Sequence, residues 1–209
     1  MLKSDKRVGI IGGTFNPIHL GHLILAEHAY EEYNLDEILF IPSGISYFKD
    51  PRTVLDKKKR ITLTGEAIED NPHFALSTIE ADRPGNSYTC ETLVELKRMN
   101  PNAQYFLIIG ADSLFEIESW KEPESILKNA IILAAVRNDQ GTEALQQKAD
   151  ELMKKYQSEI HVLACPHIDI SSTDIRNRIK EGKSIRYMVT EQTEKYIKKH
   201  NLYQEEVEA

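Results

Sequence analysis

The chain has 209 residues, 41% hydrophobic and 28% charged, which suits one globular α/β domain with a sizeable core and room for a small appended lobe. Its formal net charge of −7 and pI of about 5.6 argue against a general binder of nucleic acid or of a membrane surface, since either needs a basic face. The two cysteines, Cys90 and Cys165, fall in no metal or Cys-x-x-Cys spacing, no apolar run approaches about 18 residues, and the charged start lacks a signal core; the expectation is incidental thiols in a cytoplasmic protein.

Strands are predicted over 7–11, 37–41, 74–79, 105–109, 131–136 and 160–164, each a short apolar run. Helices are predicted over 20–33, 54–69, 89–98 and 142–156, with two more at the C-terminus. Strands alternating with helices imply right-handed crossovers and a mostly parallel sheet with helices on both faces. Ligands bind such sheets beyond the carboxyl ends of the strands, where strand order reverses. Three segments stand at such ends: 12–22, 110–112 and 171–176. The stretch 42–52 is the candidate mobile loop, and the tail 204–209 is expected to fray.

The first segment reads Gly12-Gly13-Thr14-Phe15-Asn16-Pro17-Ile18-His19-Leu20-Gly21-His22. Strand, glycine turn and helix follow one another, so backbone can approach an anion closely and the helix start offers N–H groups. His19 and His22 lie about one helical turn apart and can face the same space. The turn has neither the Lys-Ser or Lys-Thr of a Walker loop nor the full G-x-G-x-x-G fingerprint.

The last segment, Ile170-Ser171-Ser172-Thr173-Asp174-Ile175-Arg176, reads either as an ordinary helix cap with capping-box spacing or as a second phosphate-binding helix start with Arg176 adding a fork of donors. Gly110-Ala111-Asp112 follows a buried strand and presents a carboxylate either as a cap or to a ribose or base. Trp120, the single tryptophan, can pack in the core or stack on a ligand ring. Taken alone, Asn86-Ser87-Tyr88-Thr89 is a turn with a Thr N-cap. Lys57-Lys58-Lys59-Arg60 reads as a solvated helix face, with Arg60 pointing at the site as the lesser alternative.

The first segment resembles the G-G-T-F-[DN]-P-x-H-x-G-H signature of the nucleotidyltransferase superfamily, and the last resembles its I-S-[ST]-T-x-[IV]-R partner motif. With the Ser-Tyr-Thr element, and with Gly-Ala-Asp followed by Trp, the chain from about Arg7 to Tyr203 resembles the bacterial nicotinate-nucleotide adenylyltransferases. Those two extra elements separate that family from the shorter pantetheine-phosphate adenylyltransferases and from cytidylyltransferases. The resemblance implies a Rossmann-like α/β fold, a single domain over 1–209, C-terminal helices from about 171 carrying the second motif, and transfer of AMP from ATP to nicotinate mononucleotide. It also implies roles. His19, His22 and Arg176 would act on the phosphates, with Gly12, Gly13, Thr14, Phe15, Lys49, Gly110, Asp112, Ser172 and Thr173 holding ATP. Tyr88, Thr89 and Trp120 would receive the acceptor. Mg²⁺ would ride on the ATP phosphates rather than in a protein cage.

The chain departs from the family at two places. Position 16 is Asn where many relatives have Asp, and Ser46-Tyr47-Phe48 replaces Pro-Pro-His before Lys49. The competing readings are a nucleotidyltransferase with another acceptor (nicotinamide mononucleotide first), a non-catalytic nucleotide sensor, and a fragment of a class I aminoacyl-tRNA synthetase. The last is disfavoured by the lack of a K-M-S-K-S-like stretch, and the sensor by the presence of both histidines. A homo-oligomer stays open.

Overall fold

The computed structural model describes residues 5–46, 53–136, 142–166 and 168–204. In chain order its elements are β1 (Arg7–Gly13), α1 (Leu20–Glu32), β2 (Glu37–Pro42), β3 (Ile45–Ser46), α2 (Lys57–Ile68), β4 (Phe74–Leu76), α3 (Ile79–Asp82), β5 (Asn86–Ser87) and α4 (Thr89–Met99). There follow β6 (Gln104–Gly110), α5 (Ala111–Glu116), a 3₁₀ turn (Ile117–Ser119), α6 (Pro123–Asn129), β7 (Ile131–Val136), α7 (Thr142–Tyr156), β8 (Ile160–Ala164), α8 (Ser172–Lys180) and α9 (Glu191–Lys199).

Six strands form one parallel sheet in the order β4-β2-β1-β6-β7-β8, and β3 pairs with β5 in a separate two-stranded ribbon. The chain runs outward from β1 to β4, then returns across the sheet to β6 and runs out the other way. The reversal therefore falls between β1 and β6, where a crevice opens at the strand ends.

All six strands of the main sheet match the predicted ones, because a strand covered on both faces reads as a continuous apolar run. The side chains of β6 show the two-sided burial: Phe106 and Ile108 join Ile11, Phe40 and Leu133 on one face, whereas Tyr105, Leu107 and Ile109 join Val8, Ile10 and Ile132 on the other. A third cluster, Leu63 with Ile175, Ile185, Val189, Ile197 and Leu202, seats the C-terminal helices on α2. Among the described residues no helix is long and apolar enough to cross a membrane.

The differences from expectation are local. The strand predicted over 74–79 stops at Leu76, and Ile79 opens a short helix whose Thr78 hydroxyl bonds Asp82 Oδ2 at 2.6 Å. Helix α2 starts at Lys57 rather than at 54, because the Asp56 carboxylate accepts the Lys58 N–H at 2.9 Å and caps the first turn. Within the stretch predicted mobile, Ile45–Ser46 is held as a strand, and 47–52 lie outside the described residues. The tail beyond 204 lies outside them as well.

Candidate active site

Two cavities adjoin at Trp120, the larger of them at the carboxyl ends of β1 and β6. The larger, about 460 Å³, is lined by Gly12, His19, His22, Gly110, Asp112, Ser172 and Thr173, with apolar cover from Ile24, Leu25 and Ile168. The smaller, about 300 Å³, is lined by Ser87, Tyr88, Thr89, Ser119, Lys121 and Ile126. Trp120 lines both and is their shared wall.

The two histidines stand together at the start of α1. His22 Nδ1 accepts the backbone N–H of His19 at 3.2 Å, and the ring centroids are 3.7 Å apart. A backbone N–H can only donate, so His22 Nδ1 is unprotonated and the neutral ring carries its proton on Nε2. The rings of buried Phe15 and His22 meet in a T-shaped contact, with centroids 5.1 Å apart. At Gly21 a Cβ would lie 3.1 Å from His19 Nδ1, so the ring of His19 lies close over that residue.

The turn between β1 and α1 is held from behind, carbonyl by carbonyl. The Gly13 carbonyl accepts from Ser43 N at 2.9 Å and the Thr14 carbonyl from Arg60 at 2.7 Å. The Asn16 carbonyl accepts from Arg176 at 2.8 Å, and the Pro17 carbonyl from the Ser172 hydroxyl at 2.8 Å. Oxygens that would repel an anion are thereby occupied elsewhere. The Asn16 side chain, 2% exposed, donates to the Thr53 carbonyl at 3.2 Å and accepts from Leu55 N at 3.1 Å. A carboxylate cannot donate to Thr53, so Asn makes a bond here that an Asp would lack.

At the start of α8, Ser171 is the N-cap and its hydroxyl accepts the Asp174 N–H at 3.0 Å. Ser171 is the cap, and with Ser172 and Thr173 it also lines the larger cavity. Arg176 is not among that cavity's lining residues; its second arm donates to Thr173 Oγ1 at 3.2 Å. Gly13, Thr14 and Phe15 are not among the lining residues, whereas Gly12 is. Lys49 lies outside the described residues.

Two readings are corrected. Thr89 is not a cap: Tyr88 occupies that position in extended backbone, and Thr89 is the first helical residue. Asp112 is not a cap either, because α5 is preceded by Gly110. In the smaller cavity, sequence reasoning missed Lys121, whose ammonium sits 4.3 Å over the Tyr88 ring and 2.6 Å from Glu91 Oε1. The signal for it was only its place beside Trp120.

The larger correction is Arg60. It ends a run of lysines, yet it is 1% exposed and its guanidinium faces the protein interior. Nε donates to the Leu55 carbonyl at 2.9 Å, one terminal nitrogen to Thr14 at 2.7 Å, and the other to Ser43 and Gly44 at 2.7 and 2.9 Å. Burial lowers its hold on the proton, and nearby Tyr203 and Asp56 oppose that shift.

Among the described residues no group of three or more His, Cys, Asp or Glu side chains could hold a metal ion. The larger cavity's donors are one carboxylate, hydroxyls and imidazoles, a set suited to a hydrated cation already bound to phosphate oxygens.

The model of the cytidylyltransferase-like family matches residues 10–178. A probable nicotinate-nucleotide adenylyltransferase from Lachnoclostridium phytofermentans is 46% identical over 95% of this chain and 99% of its own length. One from a Thermoanaerobacter species is 39% identical over 99% of each chain. Among solved structures, the nicotinic acid mononucleotide adenylyltransferase of Plasmodium falciparum, complexed with NaAD, superposes with a TM-score of 0.77 over 95% of this chain and 97% of its own at 21% identity. At that identity the likeness shows the nucleotidyltransferase fold alone. The chain belongs to the cytidylyltransferase-like nucleotidyltransferases and, within them, to the nicotinate-nucleotide adenylyltransferase family.

Proposed function

We propose that this protein transfers AMP from ATP to nicotinate mononucleotide, yielding deamido-NAD and pyrophosphate. The observation that carries the reading is the pair of cavities divided by Trp120: one offers two helix starts and two imidazoles, the other a flat indole and a cation. A triphosphate suits the first, and an anionic aromatic nucleotide the second.

In this reading the larger cavity holds ATP with its phosphates across the starts of α1 and α8. The acceptor lies in the smaller cavity, its ring on Trp120 and beside Tyr88 and Thr89. An acceptor phosphate oxygen attacks the α-phosphorus, the bond from that phosphorus to the bridging oxygen breaks, and pyrophosphate leaves. The acceptor is already an anionic nucleophile, so the protein aligns it and stabilises charge on the leaving group. In this reading His22 Nε2–H and His19 donate to oxygens that gain charge, and Arg176 holds the turn and Thr173. Asp112 and Gly110 border the nucleoside. Nucleotidyltransferases of this kind generally use a divalent metal; Mg²⁺ bound to the ATP phosphates would neutralise their charge, and the hydroxyls of Ser172 and Thr173 would face its waters.

Pyrophosphate release tests the reading. With ATP it should depend on nicotinate mononucleotide and be small with CTP or with pantetheine phosphate. Equal release with either substitute would refute it.

A further inference from the structure

Arg60 is the largest fully buried side chain, and its hydrogen bonds to Thr14, Ser43, Gly44 and Leu55 all go to backbone carbonyls. Leu55 lies just before α2, the helix that carries Arg60, and the other three carbonyls belong to two different loops. Thr14 is in the turn after β1, the turn that leads from Gly12 to His19 and His22 of the larger cavity's lining. Ser43 and Gly44 join β2 to β3.

The second loop leads directly to the smaller cavity. The Gly44 N–H donates to Ser87 Oγ at 2.9 Å, and Ser87 lines that cavity. Behind Ser87 sits Glu80, buried, accepting from Thr92 Oγ1 at 2.9 Å and bonded to Ser87 as well. Gly44 is packed so closely there that a Cβ would stand 2.7 Å from the Glu80 carbonyl oxygen. One peptide unit is thus gripped by the guanidinium on one side and by Ser87 on the other.

We propose that Arg60 is a positioning residue that sets the spacing of the two cavities, locking the phosphate-side turn to the acceptor-side wall through Gly44. It touches neither substrate. Its planar fork spans two loops, which an ammonium cannot do. The inference rests on the adenylyl-transfer reading above. An unmodified protein that makes no deamido-NAD would defeat that reading before any variant is compared.

The role predicts a particular split. Each cavity keeps its own lining when Arg60 is changed, so each substrate alone should still bind. Only their mutual alignment suffers, and a misplacement of about 1 Å can lower a rate about 10²-fold. In Arg60→Lys, calorimetric dissociation constants for ATP and for nicotinate mononucleotide should each stay within about 3-fold of the parent. The single-turnover rate at saturation, per folded site, should fall about 30- to 100-fold. A residue that only stabilises the fold would lower the melting temperature and leave that rate unchanged, and this result would overturn the proposal. If Arg60→Lys does not fold, Gly44→Ala decides, since it pushes the loop away from Glu80 with Arg60 intact. It should show the same rate-selective loss, and a parental rate in Gly44→Ala overturns the proposal.

Discussion

The guanidinium of Arg176 donates to the backbone carbonyl of Asn16 at 2.8 Å, joining α8 to the turn after β1 across 160 positions of chain. Its other arm holds Thr173 Oγ1 at 3.2 Å, so one side chain orients both halves of the proposed triphosphate site. An ammonium can keep the charge but not both bonds. Arg176→Lys should lower kcat/KM for ATP about 10- to 100-fold, as loss of a charge-assisted hydrogen bond would suggest. Parental kinetics across ATP concentrations would mean that the fork is dispensable.

His22→Ala should cut turnover about 10²- to 10³-fold, the usual effect of losing one preorganised donor to a developing charge. Acceptor affinity should change little if, as proposed, the Nε2–H donates to charge that appears only in the transition state. Steady-state kinetics read this directly. A raised acceptor KM with unchanged kcat would contradict the assignment.

How far these sites were legible depends on sequence separation. The lining residues of the larger cavity predicted from sequence stand in three contiguous segments at strand ends, and contiguous segments survive in a single sequence. The six strands of the sheet were legible because double-sided burial writes them as apolar runs. Arg60 was not, since its reason for burial lies in carbonyls 16 and 46 positions away, those of Gly44 and Thr14, and its neighbours are solvated lysines. Strands β3 and β5, two residues each, carry no alternation to read. The short helices α3, α5 and α6 span too few turns for a periodic signal.

Trp120→Ala should weaken nicotinate and nicotinamide mononucleotides by similar factors, corresponding to roughly 1–3 kcal/mol for a lost aromatic stack. The indole senses a flat ring, and both acceptors have one. The preference for nicotinate must come from donors around its carboxylate, such as the start of α4 and Lys121. Titrations of the two acceptors against the variant check this division, and loss of one acceptor alone would contradict it.

Burial raises the carboxyl of Glu80 above its usual range, although bonds from Thr92 and Ser87 and the charge of Arg83 pull it down. A carboxyl that holds its proton more tightly when folded contributes most at low pH. That contribution is lost as pH rises from the unfolded value to the raised folded one. Glu80→Gln has no charge to bury, so its stability relative to the parent should climb with pH through the weakly acidic range and then level off. Urea melts between about pH 4 and pH 8 follow the difference. A flat or falling difference would show that ionised Glu80 is well accommodated.

The most direct test is to incubate the unmodified protein with MgATP and either nicotinate or nicotinamide mononucleotide, and to follow dinucleotide and pyrophosphate together. The account predicts deamido-NAD and pyrophosphate in equal amounts, with kcat/KM higher for the nicotinate form. Equal use of both acceptors would contradict the proposed selectivity, and pyrophosphate without dinucleotide would contradict adenylyl transfer itself.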